Sequence, residues 1–306
     1  MNQDQRAAVM AALKLTDELP DHEVRVEGMP FVSGAVRRQR ISYAVPGGKR
    51  LTAWMLHPSV GNGPWPGLLA LHPHGDAFGQ GGDEVAGQRG QREHHYGFNL
   101  AARGFTVVCP DLPCFGQQQA PAGMPIDRQW EQLCLSRALT YGRSLLAETM
   151  DQLRCALAAL LDLERTRGLT VSVVGYGMGA RTAAWLAFTD QRVGSLWMHS
   201  GLGQQAILLQ HGRLLPRHGL LPGLLAMGLD QADIVADILP RSLGISYGKA
   251  DRVATPEAIA PVLLAVKERC LRFPEAKVAV LEGDYDHRFP STVLKEIGDH
   301  LLQWAE

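Results

Sequence analysis

Short apolar runs alternate along this chain with stretches of helical period. Near the start, Ile41, Tyr43 and Val45 alternate with polar neighbours, Pro46-Gly47-Gly48 follows, and a second alternating run occupies 49–57. This pattern predicts an antiparallel hairpin of strands 37–45 and 49–57. Beyond GNGPWP the character changes. The runs 67–72 (GLLALH), 105–109 (FTVVC), 170–174 (TVSVV), 195–199 (SLWMH), 243–247 (LGISY) and 277–281 (KVAVL) are almost continuously apolar. Runs of that length suit strands buried on both faces, as in parallel sheets.

Helical patterns lie between them. Leu146, Met150, Leu153, Leu157 and Leu160 form one apolar face. Thr255-Pro256-Glu257 supplies an N-cap, a proline in the first turn and an acid beside it, opening a helix to about Cys270. Ser291 caps a last helix that turns Leu294, Ile297 and Leu301 inward. An antiparallel start followed by repeated βα units predicts a single α/β domain over 1–306, its sheet open, mostly parallel and covered on both faces. Residues 1–20 read as a short surface helix. Residues 202–235, apolar but broken by Pro216, Pro222 and glycines, read as a small helical lid.

Composition narrows the function. With 46% hydrophobic residues and a formal net charge of -1, the chain is neither disordered nor built for nucleic acid. No apolar run approaches the roughly 18 residues of a membrane span, and the N-terminus lacks the form of a signal peptide. The five cysteines, Cys109, Cys114, Cys134, Cys155 and Cys270, are odd in number and form no C-x-x-C, so reduced thiols in a cytoplasmic protein are expected.

The most informative segment is VSVVGYGMGARTAAWLAF, a buried strand turning tightly into a helix. Gly175-Tyr176-Gly177-Met178-Gly179 matches the nucleophile elbow G-x-S-x-G except at its centre, where Gly177 stands in place of serine. Gly175, Gly177 and Ala180 also satisfy a loose dinucleotide fingerprint, but the acid expected about 20 residues on, at the end of the next strand, is missing. Further upstream, His74-Gly75-Asp76 follows a strand and resembles the H-G segment whose amides face a developing oxyanion. His72, His74 and Asp76 have the H-x-H-x-D spacing of a zinc motif. Position 77 is Ala where that motif expects another His, so no metal is assigned. Toward the C-terminus, Asp251 and His287 each follow a strand, and Asp284 and Asp286 are alternative partners for the histidine. In an open parallel sheet these strand ends converge on one crevice, in the chain order elbow, acid, histidine.

These segments together resemble bacterial α/β-hydrolases related to acetyl xylan esterases and dienelactone hydrolases. The resemblance runs from about residue 66 to 302. It is carried by LHPHGD, GFTVVCPDLPCFGQ, YGRSLLAETMDQL, the elbow, LPGLLAMGLDQADI with RSLGISYGKADRVATPEA, and GDYDHRFP. It implies Asp251 as the triad acid, His287 as the base, and amides of Met178 and Asp76, with Gly75 beside them, as oxyanion donors. The departure is Gly177, the position of the family's nucleophile. Loss of a triad nucleophile costs about 10⁶ in kcat and leaves about 10³–10⁴ over water. No nearby substitute is evident: Ser200 ends the neighbouring strand and Cys114 sits in the loop after the second of the parallel strands, and neither sits on an elbow.

The expectation is therefore an enzyme of this fold acting on a small carbonyl or ester-type substrate through His287 and Asp251. Either it is an esterase whose serine was replaced, by engineering or by drift, or it is a non-covalent proton-transfer, lyase or cyclase catalyst. A pseudohydrolase that only binds a small molecule is the alternative, followed by a dinucleotide-binding oxidoreductase. No cofactor is expected, the partner is a small-molecule substrate, and a homo-oligomer stays open. His74, Trp197 and Leu221 are the candidate substrate contacts. Leu214, Leu215, Leu220, Leu224, Leu225, Met227 and Trp130 are further candidates for an apolar wall.

Overall fold

The two periodicities resolve into one sheet of nine strands with helices on both faces. The computed structural model describes residues 1–19, 23–163, 166, 168–213 and 216–305. The strands are β1 Arg25–Ser33, β2 Val36–Val45, β3 Lys49–Pro58, β4 Gly67–Leu71, β5 Thr106–Pro110, β6 Val171–Tyr176, β7 Val193–His199, β8 Ser242–Gly248 and β9 Val278–Gly283. Their order across the sheet is β1-β2-β3-β5-β4-β6-β7-β8-β9. The first three are antiparallel to their neighbours, and β3 runs antiparallel to β5. From β5 to β9 every pairing is parallel. The predicted hairpin is β2–β3, with Val45 opposite Lys49.

The helices are α1 Gln3–Leu13, α2 Gly82–Val85, α3 Tyr96–Ala102, α4 Asp127–Thr140, α5 Leu145–Asp162, α6 Met178–Thr189, α7 Gln205–Gln210, α8 Gln231–Ala236, α9 Pro256–Cys270 and α10 Ser291–Ala305. Strand side chains alternate between two cores. Leu69, Leu71, Val173 and Leu196 face the core shared with α5, α6 and α9, while Leu68, Ala70, Val174 and Trp197 face the one shared with α3 and α10. Ser144 caps α5 and Thr255 caps α9 through their hydroxyls, as short polar side chains do at exposed first-turn amides.

Departures from the sequence reading have local causes. The strand β1 was not foreseen because Gly28 and Pro30 interrupt its pattern and its side chains remain largely exposed. The helix α4 lacks a broad apolar stripe, and one of its inward residues is the charged Glu131. The first helix, α1, lies on the surface with one anchored face. Asn2 closes a capping box, Val9 and Leu13 are fully buried, and Arg6 ion-pairs with Asp237 over the ring of Phe188. Segment 202–235 is helical in short pieces, α7 and α8 with 3₁₀ turns at Arg217–Gly219 and Leu225–Met227. All five cysteines are free. Among the described residues no helix is long and apolar enough to cross a membrane.

One crossing sets the geometry of the site. At Gly179 a β-carbon would lie 1.9 Å from the carbonyl oxygen of Leu71, and at Gly175 one would lie 2.2 Å from Gly179. At Gly201 it would lie 1.9 Å from the Gly177 carbonyl oxygen. Here β4, β6 and the start of α6 pack backbone against backbone. Gly179→Ala is therefore expected to cost about 3 kcal/mol or more, because backbone must move to admit the methyl. Urea unfolding checks this, and a midpoint equal to the parent's would show that the crossing is slack.

Candidate active site

The parallel strands end on one side of the sheet, and the turns that follow them enclose a cavity of about 410 Å³. Its wall takes His74, Gly75 and Asp76 from the turn after β4, and Tyr176, Gly177 and Met178 from the β6–α6 turn. Ser200 and Gly201 come from beyond β7, Val253 and Ala254 from beyond β8, and His287 from beyond β9. This is the crevice that an open α/β sheet offers at its carboxyl edge.

At its centre the β6–α6 turn holds Gly177 at φ 57° and ψ -115°. The left-handed φ and sharp reversal are those of a strained strand-to-helix turn. A β-carbon at Gly177 would lie 3.6 Å from His287 Nε2 and 3.8 Å from Pro73 Cβ, ordinary contact distances. The turn thus has the shape and the room for a side chain beneath the imidazole.

His287 is held from three directions. Its Nδ1–H donates to Asp251 Oδ2 at 2.8 Å, which leaves Nε2 toward Gly177. Its carbonyl accepts from the Tyr176 hydroxyl at 3.0 Å, and the Tyr176 ring lies 5.1 Å from the imidazole. Asp251, buried after β8, accepts from the Val253 and Ala254 amides at 2.7 and 2.9 Å. The carboxylate is thereby fixed, and it fixes the histidine tautomer. Asp284 and Asp286 point away, ion-paired with Lys249 and Arg288 respectively.

Behind the dyad lies a layer of neutral imidazoles. The Trp197 Nε1–H donates to Ser246 Oγ, whose hydroxyl donates to His199 Nδ1, each at 2.8 Å. His199 Nε2–H in turn donates to the Arg288 carbonyl at 2.7 Å, tying the sheet to the loop that carries His287. His72 donates through Nδ1 to the Pro73 carbonyl and accepts at Nε2 from the Leu112 amide. Both its nitrogens are thus spent, so His72, His74 and Asp76 do not assemble as a ligand set. Burial lowers His72, His199 and His218 to about 4.

On the opposite wall, His74 Nε2–H donates to the buried Glu131 at 3.2 Å, while its Nδ1 accepts from the Asp76 amide at 3.1 Å. The Asp76 amide is therefore engaged by a side chain rather than aimed into the cavity. Arg217 pairs with Glu131, and Arg128 pairs with Asp76 through both nitrogens. Burial pushes the Glu131 carboxyl up, but His74, His218 and Arg217 outweigh it and hold it below the usual range.

The structure brings together His287, Asp251, Gly177, Met178, Gly75, Asp76 and His74. It separates two others from them. Trp197 is fully buried on the far face against His300 and Trp304, because inward and outward side chains alternate along β7. Leu221 and Leu224 belong to the core beside α6 and not to the cavity wall. Leu225 is exposed, Met227 packs on the core, and Leu220 and Trp130 likewise do not line the cavity. Leu214 and Leu215 lie outside the described residues. Cys114 is buried beside Cys134, a contact that with burial raises its thiol, so it stands away from the cavity. Over the glycine turn, where the fingerprint would place a pyrophosphate, stands His287. Sequence reasoning missed Arg128, Arg181 and Arg217 on the wall. For Arg181 a signal was available, an arginine in the otherwise apolar MGARTAAWLAF, one turn after Gly177.

Solved structures show the same architecture. A candidate acetyl xylan esterase from Bacteroides fragilis superposes with a TM-score of 0.76 at 16% identity, covering 98% of this chain and 86% of its own. Acetyl xylan esterase 1 from Thermoanaerobacterium sp. gives 0.69 at 15% identity, covering 99% and 94%. A candidate dienelactone hydrolase from Klebsiella pneumoniae gives 0.57 at 15% identity, covering 87% and 98%. No protein-family model and no curated protein matches the chain. The fold is the α/β-hydrolase fold, with a mostly parallel sheet and an added antiparallel start.

The buried imidazoles predict how stability depends on pH. Below about 6.5 an unfolded histidine takes a proton, whereas these three stay neutral in the folded chain down to about 4. Between those values the unfolded state binds more protons, so stability falls as pH falls, by up to about 4 kcal/mol per pH unit. Urea midpoints at pH 7, 6 and 5 should decline steeply. A flat profile would mean that these rings are charged, or hydrated, in the folded state.

Proposed function

We propose that this chain is an α/β-hydrolase-fold enzyme acting on a small carbonyl or ester-type substrate, with His287 as general base and no acyl-enzyme intermediate. The observation that carries the reading is the Asp251–His287 pair, 2.8 Å apart, with Nε2 poised over the side-chain-free Gly177. A pair spaced and buried in this way serves proton transfer, and a glycine beneath it leaves nothing to acylate.

In hydrolysis, His287 Nε2 takes a proton from water as the water oxygen bonds to the substrate carbonyl carbon. The carbonyl electrons move to oxygen, facing the amide of Met178, which opens α6 where first-turn amides have no helical acceptor. The Gly75 amide, on another residue of the cavity wall, is the second candidate donor. Collapse of the tetrahedral species expels the alkoxide, which takes the proton back from His287, and the imidazole ends neutral. With a carbon acid in place of water, the same base and donors would form an enolate, so elimination or cyclisation uses the same parts. A binding protein on the same scaffold is the second reading, favoured by Gly177 itself.

The test pairs Gly177→Ser with His287→Ala. The serine variant is expected to gain short acyl-ester hydrolysis and fluorophosphonate labelling, since the contacts around its new β-carbon are ordinary. In the parent, His287→Ala should lower whatever turnover is present by about 10²–10⁴. If the folded serine variant neither labels nor hydrolyses, the elbow reading fails. If His287→Ala leaves ligand binding intact and no parent turnover is found on any ester or carbonyl substrate, the protein is a binder.

A further inference from the structure

Arg181 follows Gly177 by four residues on α6, so the two share one face of the helix, and the Arg181 amide donates to the Gly177 carbonyl at 3.3 Å. Its side chain is 2% exposed and forms part of the cavity wall. The aliphatic stem crosses Gly219, where a β-carbon would lie 2.1 Å from Arg181 Cδ. The stem therefore runs in a fitted channel.

The head group is only partly satisfied. Nη1 donates to Gln231 Oε1 at 2.5 Å, while Nε, closed off from solvent, has no partner among the described residues, and neither does Nε2 of the same Gln231 amide. Asp230 is the acid whose charge favours the guanidinium, but its carboxylate is spent on the backbone amides of Gln205, Ala206 and Gln231. The other arginines on the cavity each hold a carboxylate, Arg128 that of Asp76 and Arg217 that of Glu131. Burial lowers Arg181 to about 10, which leaves it charged at neutral pH. A buried cation with unfilled donors is costly unless a counter-charge completes it.

We propose that Arg181 is a specificity residue that binds a carboxylate on the substrate, a few bonds from the carbonyl that faces His287. The inference rests on the proposed function for the site of reaction. A guanidinium presents its donors in a planar fork that matches a carboxylate, and its place one turn from Gly177 sets the short spacing between the two groups. The cavity volume of about 410 Å³ suits a small acid rather than a polymer.

Calorimetric titration of the full chain with acetate, succinate and benzoate, each beside its amide, provides the test. At least one acid should bind about ten-fold or more tightly than its amide, the scale of a charge-assisted hydrogen bond. Arg181→Met should abolish that preference. Arg181→Lys, which keeps the charge but loses the fork, should retain part of it, and it carries the test if the methionine variant does not fold. Amides binding as well as acids, or a preference that survives Arg181→Met, would overturn the carboxylate subsite. So would binding of inorganic phosphate with no response to any of the acids. His287-dependent turnover of neutral esters without an acid preference removes the subsite and leaves the proposed function standing. An Arg181-dependent acid preference without His287-dependent turnover does the reverse.

Discussion

The approach of bare backbone at the β6–α6 turn is the constraint on which the site depends. Where Gly175, Gly179 and Gly201 meet the chain around Leu71 and Gly177, any β-carbon would fall about two ångströms from main-chain atoms. Only glycine permits strand, turn and helix to pack that closely. The packing holds Gly177 in a left-handed conformation with the start of α6 aimed into the cavity. Because β4, β6 and β7 are joined in register, the turns that follow them inherit the same alignment. His74, Met178 and Ser200 consequently end around one space.

Around that rigid centre, polarity is arranged in depth. Asp251 is buried but fully engaged by two amides and His287, which is how a buried carboxylate remains tolerable. Neutral His199 bridges β8 and the loop after β9 through both ring nitrogens, and neutral His72 ties the end of β4 to the turn at Leu112 through Nε2. They give directed contacts that apolar side chains cannot, at the cost of stability in acid. Among the described residues that line the cavity, two buried groups escape this closure. Arg181 Nε is one. The other is the Ser200 hydroxyl, buried without a partner on a residue at φ 45°. Both lie on the cavity wall, which is where unfilled donors belong if a ligand completes them.

Much of the architecture was legible because its signals are local. Parallel strands read as unbroken apolar runs, and six such runs fall on β4 to β9 within a few residues; β4 to β8 are buried on both faces, whereas β9, at the sheet edge, is half exposed. Thr255-Pro256-Glu257 announced α9, and the leucine face announced α5. The strand β1 and the helix α4 escaped because one is exposed along almost its whole length and the other turns a charge inward. Neither departs from solvent in the way that hydrophobic periodicity records.

For the site, residue type and chain order were enough to single out Gly177, Asp251, His287, Met178 and the His74-Gly75-Asp76 turn, because each sits just beyond a strand of a sheet whose ends converge. Trp197 and Leu221 went astray since an apolar side chain near a strand end can face the core or the cavity, and only the pleat and the helix packing decide which. Pairing is likewise a tertiary matter. Whether an arginine meets a carboxylate depends on distances across the fold, so Arg128 and Arg217 come out neutralised and Arg181 does not. The amino-acid sequence alone therefore determined the class of fold, the glycine turn and the missing side chain at 177. The three-dimensional packing decided that His287 stands over that turn and that, among the described residues, one buried arginine on the cavity wall has no carboxylate in direct contact, because burial and charge separation exist only once the strands are assembled.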